Sequence, residues 1–120
     1  MGGKPKRTSL NAQLVERIDD ALSHRSDVVM KKMFGGIAFM VKGHMTVGVN
    51  GNDLMARVGK HSMSDSLALP YARPMDFTGV PLAGFVYVGP KGLETNLDLI
   101  AWLNRAISFV ESLPAKPKSA

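Results

Sequence analysis

Three groups of residues in this 120-residue chain have side chains suited to chemistry: the histidines, a serine cluster and an arginine–aspartate pair. A catalytic zinc takes three protein ligands converging on one point. His24, His44 and His61 fall at a helix end, in a hairpin and at a helix start, and only His61 and Asp65 share a helix face. Two ligands do not make a zinc site, so no metal is expected. Ser62, Ser64 and Ser66 stand in no G-x-S-x-G context, which leaves them without the strained turn that exposes a nucleophile. Arg73 and Asp76, with Phe77 beside them, could orient a substrate as a ligand loop. The other reading is structural: a salt bridge or a backbone hydrogen bond that pins the irregular RPMDF segment. No residue receives a catalytic role, and no cofactor is expected.

The glycines raise a second question. MFGGIAFMVKGHMTVGVNGN, residues 33–52, has a glycine at nearly every bend of an apolar run. A phosphate-binding loop runs from a strand into a helix N-terminus, and a P-loop carries a lysine after the glycine. Here Gly35, Gly36, Gly43 and Gly51 each lead into another strand, so they read as turn residues linking four antiparallel strands.

Register follows from keeping apolar residues on one face. Ile37, Phe39 and Val41 align with Met45, Val47 and Val49 only across an odd loop, so the spacing predicts a three-residue loop ending at a left-handed Gly43 in a bulge. Val49 and Leu54 need an even loop, and Gly51-Asn52 supplies it, bringing Val47 opposite Ala56 and Met45 opposite Val58. Gly35-Gly36 joins VVMKKMF to IAFMV with Lys31 or Lys32 facing Phe39 in either register, a conflict that only a bulge would relieve.

Around this meander the helical signals are clear. Leu10, Leu14, Val15, Ile18 and Leu22 predict a helix over about 9–24 with Ser9 as N-cap. HSMSDSLAL predicts a short helix stopping before Pro70, with Ser62 and Asp65 in capping-box spacing. YARPMDFTGVPLA reads as a connecting loop or edge segment, and GFVYV, residues 84–88, as a fifth strand. Thr95 then caps a last helix with Asp98 three residues on. Its apolar residues cover more than one stripe, so it is either deeply buried or shared with a partner, a second copy making a homodimer among the candidates. The expected fold is α+β, a single domain over 9–114. An antiparallel meander of about five strands packs against N- and C-terminal helices and one short helix.

Charge and composition bound the partners. Lys4, Lys6 and Arg7 in front, with Lys116 and Lys118 behind, carry charge equal to the whole formal net of +5, and the residues between balance ten basic against ten acidic. Residues 1–8 and 115–120 are Pro-, Gly-, Lys- and Ala-rich and read as disordered solubilising tails, able at most to give weak, non-specific nucleic-acid contact. No apolar run approaches the roughly 20 residues of a membrane helix, the start has no secretory h-region, and Cys is absent. A cytoplasmic protein without membrane contact is expected. GFVYV is similar to the aromatic strand of an RNA-recognition motif, but it lacks the leading basic and second small residue, and the element order differs. Phe85 and Tyr87 therefore read as core.

The other face of the meander mixes methionine with polar groups around a mid-strand glycine: Met40, Gly48, Met55 and Arg57 form a candidate interaction surface. A second helix covering that face, or simple exposure, is the alternative.

MFGGIAFMV, DLMARVG, ARPMDFTGVPLAGFVYV and AWLNRAISFVESLP, in this order, resemble the N-terminal domain of the TfoX/Sxy family over about residues 24–114. The ARPMDF-to-GFVYV block is the most specific part. The resemblance implies an α+β fold and a non-enzymatic regulatory or interaction module. Named members regulate natural competence and are thought to act as coactivators alongside the cyclic-AMP receptor protein, so the implied partner is another protein of the transcription machinery. Full regulators carry a second, helical C-terminal domain, and the sequence ends at Ala120 without one.

Overall fold

Leu14, Ile18 and Leu22 recur every four residues, and all three are buried in the computed structural model, which describes residues 10–33, 35–76 and 81–114. Leu14 and Ile18 form the inward stripe of α1, Leu10–Ala21, and Leu22 continues it in the turn that follows. The helix ends three residues before the expected limit, where Arg25 N–H bonds the Leu22 carbonyl in a closing turn. Ser9, the expected cap, lies outside the described residues, as do both tails.

Four strands follow: β1 (Val28–Met33), β2 (Gly36–Val41), β3 (His44–Asn50) and β4 (Asp53–Arg57). Ile37 pairs with Val49 and Phe39 with Val47, as parity requires, and Val49 pairs with Leu54 and Val47 with Ala56 across Gly51-Asn52. The β2–β3 connection is a correction. It is a two-residue turn of Lys42 and Gly43, at φ 54 and 84, because Val41 already pairs with His44. The odd residue sits inside β3, where the register slips between Phe39 and Met40 and Thr46 becomes the bulge. Gly43 is left-handed as expected, but the bulge lies three residues later.

Gly36 is a second correction. It pairs with Met33 and so belongs to the ladder rather than to the turn. A Cβ there would collide with the Val49 carbonyl oxygen, so the position needs glycine for close backbone approach. The lysine conflict also dissolves, since Met30 faces Phe39 while Lys31 and Lys32 face Ala38 and Ile37 from an edge strand exposed over most of its length.

After β4 a 3-10 turn, Lys60–Ser62, leads into α2, Met63–Leu67. Ser62 makes no side-chain cap bond, so the expected capping box is not formed. The segment beyond contains a strand: β5 is Ala72–Asp76 and β6 is Pro81–Val88, giving six strands among the described residues rather than about five. Pro74 cannot donate to a ladder, and β5 is accordingly an edge. A 3-10 turn, Pro90–Leu93, precedes α3, Asn96–Glu111, whose first turn is capped as expected: Asp98 N–H donates to Thr95 Oγ1 at 3.0 Å.

All pairings are antiparallel, in the order β1-β2-β3-β4-β6-β5. Leu14 and Ile18 from α1 pack with Leu99, Trp102, Leu103 and Ala106 from α3 onto Phe39, Val47, Val49, Leu54, Ala56, Val86 and Val88 of the sheet. Met63 and Leu67 of α2 join the same cluster. Each such large side chain contributes roughly 1.5–3 kcal/mol on burial. All three helices thus lie on one face of a single α+β domain. Among the described residues, no helix is long and apolar enough to cross a membrane.

Candidate functional site

Strand alternation sends the residues between the core positions to the face away from the helices. Gly48 and Met55 are cross-strand partners there, as are Met55 and Tyr87, Arg57 and Phe85, and Arg73 and Tyr87. Met40 faces Met45 on the same side, across the start of the bulge. The four residues of the expected surface therefore share one sheet face, with unequal exposure. Met40 and Arg57 are half-buried, whereas Gly48 and Met55 are buried, Met55 at 3%. Met55 lies flat over Gly48: a Cβ at 48 would stand 2.5 Å from Met55 Cε and 2.7 Å from the Ile37 carbonyl. The mid-strand glycine thus makes room for a methionine and a neighbouring strand.

Phe85 and Tyr87 correct the sequence reading. They do share a side, but it is this one, and Val86 and Val88 fill the core instead. Both alternating sets of the strand are apolar, so periodicity could not choose between them. The pairing of β6 between β4 and β5 settles it. Each ring has a cation laid against it: Arg57 Cζ is 5.6 Å from the Phe85 centroid, and Arg73 Cζ is 5.0 Å from that of Tyr87.

Arg73 also pairs with Asp53 at 2.6 Å, a residue 20 positions earlier rather than its neighbour Asp76. Asp76 is exposed at the strand end, opposite Pro81 across a register shift, and Phe77 lies outside the described residues. Asp53 was absent from the sequence reading, and only the β4–β6–β5 order brings it near Arg73.

The histidines stay apart. His44 is buried with Nε2 2.7 Å from the Pro114 carbonyl, while His24 and His61 are exposed. Among the described residues, no three His, Asp or Glu side chains are grouped to hold a metal ion. Elsewhere the strongest electrostatic feature is Arg25, which donates to both oxygens of Asp27 at 2.9 Å and to Glu111 at 3.0 Å. These bonds hold the Asp27 carboxyl below its ordinary range and push the Arg25 guanidinium upward.

The model of the TfoX N-terminal domain family matches residues 20–110. No curated protein and no solved structure gives a match.

Proposed function

The chain belongs to the TfoX N-terminal domain family, and from that premise we propose that it is a non-enzymatic regulatory module that holds another protein on the open face of its sheet. One observation carries this reading. All three helices pack on the opposite face, which leaves Met40, Met45, Tyr87 and Arg73 together without a described helix over them, while Arg57 and Phe85 at the rim meet Phe109 of α3. Methionine adapts to irregular partner surfaces, and arginine and tyrosine are over-represented among residues that dominate binding energy. Lys31 joins this face beside Ala38, and with Arg57 it outweighs the paired Arg73–Asp53, so the complementary partner surface is acidic. By family, that partner is a component of the transcription machinery, and the working compartment is the cytoplasm.

Affinity capture from the native cell tests this. Met40→Asp and Tyr87→Asp variants that remain folded should lose the bound protein. Leu97→Asp, on the exposed outer side of α3, should keep it. Retention by both face variants would end the proposal.

A second reading has its own observation. Phe85 and Tyr87 stand two residues apart on an interior strand, flanked by arginines, an arrangement suited to stacking the bases of single-stranded nucleic acid. Against it, both rings already carry a guanidinium. Titration with a single-stranded oligonucleotide separates the two, since stacking requires tight binding that Tyr87→Ala removes.

A further inference from the structure

Just past Arg57 and Phe85, where the β4–β6 ladder ends, stand two left-handed glycines, Gly59 at φ 86 and Gly84 at φ 87. The Gly84 carbonyl accepts from both Val58 N–H, at 2.8 Å, and Gly59 N–H, at 3.0 Å. Two residues of one strand thereby oppose one of the other, which bends the end of the ladder. Any side chain at position 59 would run into the ring of Phe109, so glycine lets that ring from α3 lie on the backbone. The result is a cavity of about 250 Å³ lined by Arg57, Lys60, His61, Phe85 and Phe109, with Ala83 and the two glycines completing the wall.

Charge and shape together define the ligand. The Arg57 guanidinium lies 5.6 Å from the Phe85 centroid and 5.5 Å from the Phe109 centroid, so two rings fix its position. It spends one N–H on a long contact of 3.5 Å to the Met45 carbonyl. Among the described residues, no carboxylate lies within ion-pair distance of Arg57, Lys60 or His61, whereas Arg25 has two and Arg73 one. A half-buried guanidinium has five donors in a planar fork that matches carboxylate or phosphate. The apolar walls are two phenyl rings, and the volume sits just below the usual range of about 300–1,000 Å³ for drug-sized ligands.

We propose that this cavity at the end of the sheet binds a small planar anion, an aromatic carboxylate or phosphate of one or two rings. Its anionic group sits on Arg57, with Lys60 adding charge and His61 a hydrogen-bonding ring nitrogen, and its ring fills the apolar part of the cavity between Ala83, Phe85 and Phe109 beside the guanidinium. The site shares Arg57 and Phe85 with the protein-contact face but does not depend on that reading, whose test variants are Met40 and Tyr87.

The test is a titration of the full, ¹⁵N-labelled chain followed by amide chemical shifts, with phenyl phosphate, benzoate, inorganic phosphate and benzamide as probes. The two aromatic anions should give saturable shifts confined to residues 57–61 and 83–85, and whichever binds more tightly identifies the preferred head group. Benzamide lacks the charge and inorganic phosphate lacks the ring, so each should bind at least about tenfold more weakly. Arg57→Gln should weaken the aromatic anions by about tenfold or more. Should that variant fail to fold, exposed Lys60→Gln should still weaken them by about two- to threefold. Met40→Asp should leave the titration unchanged. Equal binding of benzamide, shifts scattered over other basic residues, or undiminished binding in a folded Arg57→Gln would overturn the proposal.

Discussion

Arg25 ties three parts of the chain together: its own turn after α1, the approach to β1 through Asp27, and the end of α3 through Glu111. An unfolded aspartate titrates at about 3.9. The folded value of Asp27 is depressed, chiefly by the hydrogen bonds from Arg25, so the folded state binds fewer protons at acid pH. The stabilisation is therefore present above the unfolded value and is lost as pH falls through the folded one. Asp27→Asn should cost about 0.5–1 kcal/mol at pH 7 in urea unfolding, and the gap to wild type should narrow as pH falls through the depressed folded value of Asp27. Gly36→Ala is the sharper residue-level change. Its Cβ would meet the backbone carbonyl of Val49, which cannot rotate away, so unfolding should show a loss of roughly 1–3 kcal/mol. A neutral Gly36→Ala would restore the turn reading of that glycine.

Among the elements, the caps give a matched pair of expectations. Thr95 Oγ1 accepts from Asp98 N–H, so Thr95→Ala should lose about 1 kcal/mol. Ser62 makes no such bond, so Ser62→Ala should stay within about 0.5 kcal/mol. Both follow from denaturant midpoints, and equal effects would contradict the assignment. The two serine/threonine–aspartate spacings look alike in sequence, and only the surrounding geometry distinguishes them. Sequence was most informative where one face is apolar and the other is not: parity placed β2, β3 and β4 against one another correctly through Phe39, Val47 and Ala56. It failed in two physical situations. A compensating bulge at Thr46 preserves the parity that a longer loop would give, so the turn and the bulge cannot be separated by counting. In GFVYV both faces are apolar, and in ARPMD a proline hides an edge strand, so β5 and the direction of Phe85 and Tyr87 depend on pairing partners distant in sequence. For the same reason Met40, Gly48, Met55 and Arg57 were legible as a set, while Phe85, Tyr87 and Arg73 beside them were not.

On the scale of the whole molecule, the excess charge and the open face make different demands. Lys4, Lys6, Arg7, Lys116 and Lys118 account for the net charge, so any binding to duplex DNA should be sequence-blind. Log affinity should fall with log salt at a slope no steeper than about −4.5, and changing these five residues to glutamine should remove most of it. Contacts made by the open face should instead survive moderate salt, because they rest on apolar and aromatic area as well as charge. The eight methionines supply natural reporters for that claim. Met40 and Met45 lie on the open face, whereas Met63 of α2 packs with the helices against the core. The most direct measurement is a methionine-methyl ¹³C spectrum of the full chain, recorded before and after adding the protein captured from the native cell. The account predicts that the Met40 and Met45 methyls shift or broaden at stoichiometric partner while Met63 stays in place. Movement of Met63 with Met40 and Met45 unchanged would place the partner on the helical side and contradict it.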